Sequence, residues 1–244
     1  MDLEQYWALV EKTWPRNNDP ETHCEALTRR LRLLKAAEIL AFDRIFSQLV
    51  DQAYRRDLWS AAYLLNGGCS DDGFTYFRWW LAMQGRDVFE LAMSDPESLV
   101  EINAGTDDLE WEDYGHLALE AYQEATGEDD FPNDYYSARG VAGKRPQLRG
   151  RWIRSDRGLR RKYPMLWRLV QKPPVIDPAW LKWKRGTVKR IASSIHQDKS
   201  WAQLPILADA LEEAGCSDAF VLDHLRAGRR HARSCWVTYL LLDV

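Results

Sequence analysis

The chain has no apolar run of the about 18 residues that a transmembrane helix needs, although 45% of its 244 residues are hydrophobic. Its first ten residues carry Asp2 and Glu4 and no basic cluster, so we expect no secretory signal. Four cysteines are too few and too dispersed for a disulfide framework. These absences favour a cytoplasmic protein that makes no membrane contact.

The sequence also lacks the short alternating runs, separated by hairpin turns, that predict β-strands. Helical periodicity is present instead: Leu3, Tyr6 and Trp7 fall at i, i+3 and i+4, the spacing of one helix face. A longer apolar-periodic run extends over residues 39–63 and stops at Asn66, before two glycines. We therefore expect an all-α fold, with a helical N-terminal domain followed by a small C-terminal helical bundle.

Local signals predict where several helices begin and end. Asp19 before Pro20 is typical of a helix start, and Ser70 can cap another helix. A helix over about residues 109–125 is expected to stop at Gly127. Three more helices are predicted over residues 204–214, 218–225 and 232–242.

The net charge of −4 conceals two oppositely charged halves. Residues 1–137 hold 28 acidic and 11 basic side chains, whereas residues 138–244 hold 9 acidic and 22 basic ones. The predicted division is an acidic helical domain (1–137), a basic loop and linker helix (138–177) and a C-terminal helical module (178–244). Such asymmetry suits either a polyanionic partner or attraction between the two halves.

The first candidate site is the turn between the two helices that meet near residues 66–70. Its ligand-binding candidates are Gly67, Gly68 and Ser70, and its catalytic candidates are Cys69, Asp71, Asp72 and Arg78. Backbone N–H groups at a helix start favour an anion, and paired carboxylates can act as acid and base in a hydrolase. The alternative is an ordinary helix start, because glycine caps and first-turn carboxylates stabilise a helix without any ligand.

The second candidate is a basic segment over residues 149–190, in which arginine and lysine alternate with tryptophan. The nucleic-acid candidates within it are Arg151, Trp152, Arg154, Lys182 and Trp183. Cations contact phosphates and aromatic rings stack on unpaired bases. The opposing interpretation, which the acidic pI of about 5.8 favours, is that the tryptophans are core and the charges are solvated or paired.

The third candidate is a set of cysteines and histidines near the C-terminus. The spacing Cys216-x7-His224-x6-His231-x3-Cys235 provides two thiolates and two imidazoles, which can hold a tetrahedral zinc ion. A helix of about 12 Å separates Cys216 from His224, so the chain would have to fold back to close the site. Buried structural cysteines and surface histidines are the alternative.

Residues 53–74 resemble the signature block of the bacterial family catalogued as domain of unknown function 4240. Further features similar to that family follow in the same order, and together they extend the resemblance over about residues 1–170. They are found at residues 3–7, 77–78, 84–85, 95–99, 121–124 and 162–164. The resemblance implies no assigned activity, so it assigns no catalytic residue.

The C-terminal part resembles a separate tail that occurs on assorted uncharacterised bacterial proteins. The matching stretches are residues 180–183, 204–216 and 231–236. By analogy, a tail that is attached to different front modules behaves as an accessory or assembly unit. The leading interpretation is therefore a non-catalytic intracellular module whose partner is another protein. A hydrolase that uses Asp71 and Asp72 and a nucleic-acid-binding protein are the alternatives.

Overall fold

A computed structural model describes residues 1–15, 19–102, 109–138 and 147–242 of the chain, and these ranges are mainly helical. Their β-structure is a single isolated bridge between Arg55 and Arg149, so the all-α prediction is confirmed. Within the same ranges, each helix is too short or too polar to cross a membrane. The basic loop and linker helix predicted over residues 138–177 includes 139–146, which lie outside the described residues.

Fifteen α-helices lie in the described ranges. They are α1 (Leu3–Thr13), α2 (Pro20–Leu31), α3 (Ala36–Gln52), α4 (Arg56–Leu65), α5 (Asp71–Ala82), α6 (Arg86–Ser94), α7 (Leu117–Thr126), α8 (Asn133–Ala138), α9 (Asp156–Lys162), α10 (Pro164–Gln171), α11 (Pro178–Lys182), α12 (Thr187–Asp198), α13 (Leu204–Glu213), α14 (Ala219–Arg226) and α15 (Trp236–Leu242). Short 3-10 helices span Pro96–Glu101, Asp113–Gly115, Trp183–Arg185 and Trp201–Gln203.

The helix ends that local chemistry predicted are found at the expected residues. The Asp19 carboxylate accepts the backbone N–H of Thr22 at the start of α2. Ser70 does the same for Gly73 at the start of α5, and Gly127 ends α7 in the left-handed conformation. These ends form locally because the capping group lies within one helical turn of the backbone that it satisfies.

Three predicted helices differ from those observed. The helix expected over residues 232–242 begins only at Trp236. The periodic run over residues 39–63 is divided into α3 and α4, because Arg55 is extended and donates to the backbone oxygen of Met93. The helix expected from residue 109 begins only at Leu117. The ring of Trp79 packs directly on Gly115, where any Cβ atom would overlap it, and this contact fixes a 3-10 turn ahead of α7.

The N-terminal unit consists of residues 1–96 and 108–159 and has its own aromatic core. Helix α3 packs against α5 and α7, and α2 also packs against α7. The largest fully buried side chains of this unit include Tyr6, Phe42, Phe74, Phe77 and Tyr114. These rings bury enough apolar surface to position the turn before α5 on a well-packed base.

The C-terminal unit consists of residues 97–107 and 160–244, so a short upstream segment belongs to it. Helix α12 packs against α13 and α15, and α13 packs against α14. Its core contains Leu166, Val188, Ile195, Leu211 and Trp236, all of them buried. The contacts place the main division at 159/160 and assign the upstream residues 97–107 to the C-terminal unit. The sequence boundaries at 137/138 and 177/178 stay a prediction.

Candidate functional site

The turn before α5 lies in the N-terminal unit, and a carboxylate of the chain itself lies against the start of the helix. The Glu110 carboxylate sits where a Cβ atom on Gly73 would be, and Asn66 Nδ2 donates to Glu110 Oε1 over 3.2 Å. Asp71 and Asp72 are exposed. The start of α5, where an anion was expected, is therefore contacted by the chain's own acidic side chain.

The other catalytic candidates of this turn have structural contacts. The backbone oxygen of Cys69 accepts the indole N–H of Trp59, and its half-buried thiol contacts the backbone oxygen of Ser70. Arg78 is buried and donates to the backbone oxygens of Val50 and Phe74, so that it joins α3 to α5.

The two histidines of the N-terminal unit pack against aromatic side chains. His23 is stacked on Trp14 and hydrogen-bonds Tyr114, whereas His116 contacts the edge of Trp79. A nucleophilic cysteine requires a histidine within hydrogen-bond reach. These contacts therefore give no support to Cys69 as a nucleophile.

The basic segment is partly built into the two units. Trp152 stacks on Trp59 at 4.5 Å between ring centroids, and the Arg154 guanidinium lies 4.2 Å from the Trp152 centroid. Trp183 is half-buried, with the Lys184 ammonium 4.1 Å from its ring centroid. The two remaining candidates, Arg151 and Lys182, are exposed. Trp152 therefore has little ring surface left on which a base could stack.

The third candidate gives a compact cluster within the C-terminal unit. His224 lies in the last turn of α14, His231 in the following loop, and Cys235 directly before α15. Glu101, the last residue of the 3-10 helix Pro96–Glu101, is the fourth member. One ligand atom from each of these residues lies within 4.8 Å of all the others.

The closest distances in this cluster are short and nearly equal. His224 Nε2 is 3.3 Å from Cys235 Sγ and 3.3 Å from His231 Nε2. Glu101 Oε2 is 3.3 Å from His231 Nε2 and 3.5 Å from His224 Nε2. Around a tetrahedral zinc ion, ligand bonds of 2.0–2.3 Å place neighbouring ligand atoms about 3.3–3.7 Å apart. The four distances therefore match four of the six edges of a zinc tetrahedron, and the two remaining edges, from Cys235 to His231 and to Glu101, lie within 4.8 Å.

All four side chains are removed from water. The side chains of His224 and His231 are each 1% exposed, and that of Glu101 is 6% exposed. Burial raises the pKa of Glu101 and of Cys235, and it lowers the pKa of His224 to about 3. Without a cation, the site therefore favours an uncharged acid, thiol and imidazole.

Backbone groups lie against three of the four cluster residues. His231 Nδ1 is 2.9 Å from the backbone oxygen of Arg229. A neutral ring that donates to this oxygen keeps its lone pair on Nε2, the atom nearest to Glu101. The backbone N–H of Trp236 opposes the rise that burial causes in the pKa of Glu101, and those of Val237 and Thr238 oppose the rise in the pKa of Cys235. His224 Nδ1 has no such partner among the described residues.

Aromatic side chains enclose the cluster. The Trp236 ring lies 4.9 Å from His224 and the Trp201 ring 5.6 Å from His231, measured between centroids. Such apolar walls lower the local dielectric and keep out water. The cluster therefore has the surroundings of a buried structural site.

The observed cluster differs by one member from the set predicted from spacing. His224, His231 and Cys235 are brought together, whereas Cys216 is not part of the cluster found among the described residues. Cys216 precedes α14, and His224 lies in the last turn of that helix. The length of α14 therefore separates the two side chains, and Glu101 takes the place that was predicted for Cys216.

Sequence reasoning missed Glu101 because it lies 123 residues before His224 and within a strongly acidic region. One signal distinguishes it from the neighbouring acids. It stands between Val100 and Ile102, in an apolar run that also includes Leu99. An acidic residue within such a run is typical of a buried carboxylate that has a specific partner.

The sequence model of the family described as "Protein of unknown function (DUF4240)" matches residues 1–124. The chain belongs to this family. No curated protein and no solved structure shows a significant match to the chain.

The DUF4240 region, residues 1–124, includes the block 53–74 from which the family resemblance was inferred. That block forms α4, the turn and the start of α5, so its glycines and Ser70 have a structural place at a helix junction. The region also includes Glu101. The other three cluster residues lie outside the match, and the resemblance of the tail to other proteins stays a prediction.

Proposed function

We propose that the chain binds one zinc ion in its C-terminal unit, through Glu101, His224, His231 and Cys235, and that the ion has a structural role. A single observation carries the proposal: four buried ligand atoms of suitable types lie within 4.8 Å of one another, and four of their six separations are those of a zinc tetrahedron.

The charges of the four ligands support a divalent ion. A thiolate, a carboxylate and two neutral imidazoles carry a total charge of −2, so a dication makes the buried site neutral. Without the ion, an ionised Glu101 beside an ionised Cys235 would be costly, and this cost favours their protonated forms. Binding of the ion displaces those protons and stabilises the folded unit, because a preformed site rarely exists in the unfolded chain.

The types of ligand atom favour zinc over the hard cations. Magnesium and calcium prefer six or more oxygen ligands, and the cluster offers one carboxylate. Nitrogen and sulfur ligands in a tetrahedral arrangement are typical of zinc. Four protein ligands leave no position for a water molecule, which is the arrangement of structural rather than catalytic zinc sites.

The wider role that we propose is a zinc-stabilised, non-catalytic module that acts by contact with another protein. Two features support the absence of catalysis: Glu110 lies against the start of α5, and Arg78 is engaged with the backbone. A nucleic-acid partner has less support, because Trp152 is stacked on Trp59. Titration with a single-stranded oligonucleotide at several salt concentrations distinguishes the two partners, since phosphate binding weakens steeply with salt.

Metal analysis of protein purified without a metal-affinity column tests the zinc proposal. We expect about one zinc ion per chain, and we expect Cys235→Ser to lose it. Cys216→Ser is the matched control, because Cys216 is also buried in the C-terminal unit but lies outside the cluster. A native protein that contains no metal and binds neither added Zn²⁺ nor Co²⁺ would contradict the proposal.

A further inference from the structure

The proposed zinc ligands come from two parts of the chain that the family match separates. Glu101 lies within the DUF4240 region, and the three other ligands lie in the C-terminal tail, over 224–235. The upstream ligand stands on a short segment, residues 97–101, that belongs to the C-terminal unit. Zinc binding at this cluster therefore needs both parts.

The 97–101 segment has buried apolar side chains, and hydrogen bonds tie both of its ends to other residues of the C-terminal unit. Leu99 and Val100 are each 1% exposed. At one end of the segment, Glu97 Oε1 accepts the backbone N–H of Met165 over 2.6 Å. At the other end, the Ser234 hydroxyl donates to the backbone oxygen of Glu101.

A polar contact joins Glu101 to the residue next to a tail ligand. The hydroxyl of Ser234, which directly precedes Cys235, donates to the backbone oxygen of Glu101. The position of Glu101 and the position of Cys235 are therefore coupled through Ser234. Loss of either ligand would disturb the geometry of the other.

We infer that the metal ion joins the 97–101 segment of the DUF4240 region to the C-terminal tail, so that the tail is not an independent module but shares one metal-dependent unit with the family region. This inference rests on the proposed zinc site. Under this inference the tail supplies three ligands, and Glu101 supplies the fourth from the DUF4240 region.

Hydrogen exchange on the full chain, with and without a strong chelator, tests the inference without any substitution. We expect chelation to increase exchange in peptides covering 97–101 and 224–235 together, while peptides from α3 and α4 stay protected. Loss of protection in 224–235 alone would overturn the inference. Loss of the metal with no change in either peptide would also overturn it, because the ion would then hold neither part in place.

Substitution of Glu101 gives a second, independent measurement. We expect Glu101→Gln to weaken Co²⁺ binding by more than about 10-fold, because loss of a residue that only hydrogen-bonds a ligand already weakens binding by about that factor. Binding is measured by the absorption band of the bond between the Cys235 thiolate and cobalt. Glu97→Gln is the matched control, because it changes a carboxylate of the same segment that lies outside the cluster.

The possible failures of the two proposals are distinguishable. A wild-type chain that binds no metal removes the proposed function, and the inference with it. A wild-type chain that binds Co²⁺, together with a Glu101→Gln variant of equal affinity and unchanged exchange in 97–101, overturns the inference. Metal binding by the C-terminal unit would then stand, with His224, His231 and Cys235 as ligands and without Glu101.

Discussion

Replacement of Gly73 by alanine should have opposite effects on stability in two sequence backgrounds. Alanine within a helix is normally about 1 kcal/mol more stable than glycine. At this position in the first turn of α5, however, a Cβ atom would overlap the Glu110 carboxylate. That carboxylate is the end of a flexible side chain, so it would move away rather than force the helix apart.

The cost of moving Glu110 can be worked from its contacts. Its hydrogen bond from Asn66 Nδ2 is partly exposed and contributes about 1 kcal/mol. Its charge at the start of α5 contributes about 0.3–1 kcal/mol. Together these losses exceed the helix-propensity gain, so Gly73→Ala should destabilise the native chain by about 0.3–1 kcal/mol.

In a Glu110→Ala background the same substitution should instead stabilise the chain by about 1 kcal/mol, because nothing remains to be displaced. Urea unfolding of the four chains, followed by circular dichroism at a fixed zinc concentration, gives the coupling free energy, which we expect to be about 1.3–2 kcal/mol. If Gly73→Ala stabilises both backgrounds equally, Glu110 does not lie against the start of α5, and the turn is open to a ligand after all.

Two further predictions concern a helix cap and the basic segment. Asp19→Ala should cost about 1 kcal/mol at pH 7 through loss of the α2 cap. Hydrogen bonds from Thr22 lower the pKa of Asp19, so this contribution is complete above the ordinary aspartate pKa and is lost as the pH falls through the lower folded value. In Asp19→Asn, which keeps the hydrogen-bond acceptor, the contribution of this cap to the free energy of unfolding should change little with pH in the same measurements. Trp152→Ala should destabilise the chain by about 2 kcal/mol, because it removes the stack on Trp59, and a loss below about 0.5 kcal/mol in urea unfolding would mean that the stack does not form.

The helices were largely predictable because their signals are local. Asp19, Ser70 and Gly127 each act on backbone groups within one turn, and no other part of the chain is needed to place them. The predicted bounds failed where a distant residue decided the backbone. Arg55 is extended beside Met93, and Gly115 is packed under Trp79, contacts that periodicity does not contain.

The candidate site was predictable in part for the same reason. His224, His231 and Cys235 lie within 12 residues of one another and were identified from their residue types and spacing. The fourth member depended on which carboxylate the fold brings to them, and a chain with 37 acidic residues offers many. The sequence by itself determined the all-α fold, the helix caps and three residues of the cluster. Only tertiary packing, which buries the 97–101 segment in the C-terminal unit, selected Glu101 over Cys216.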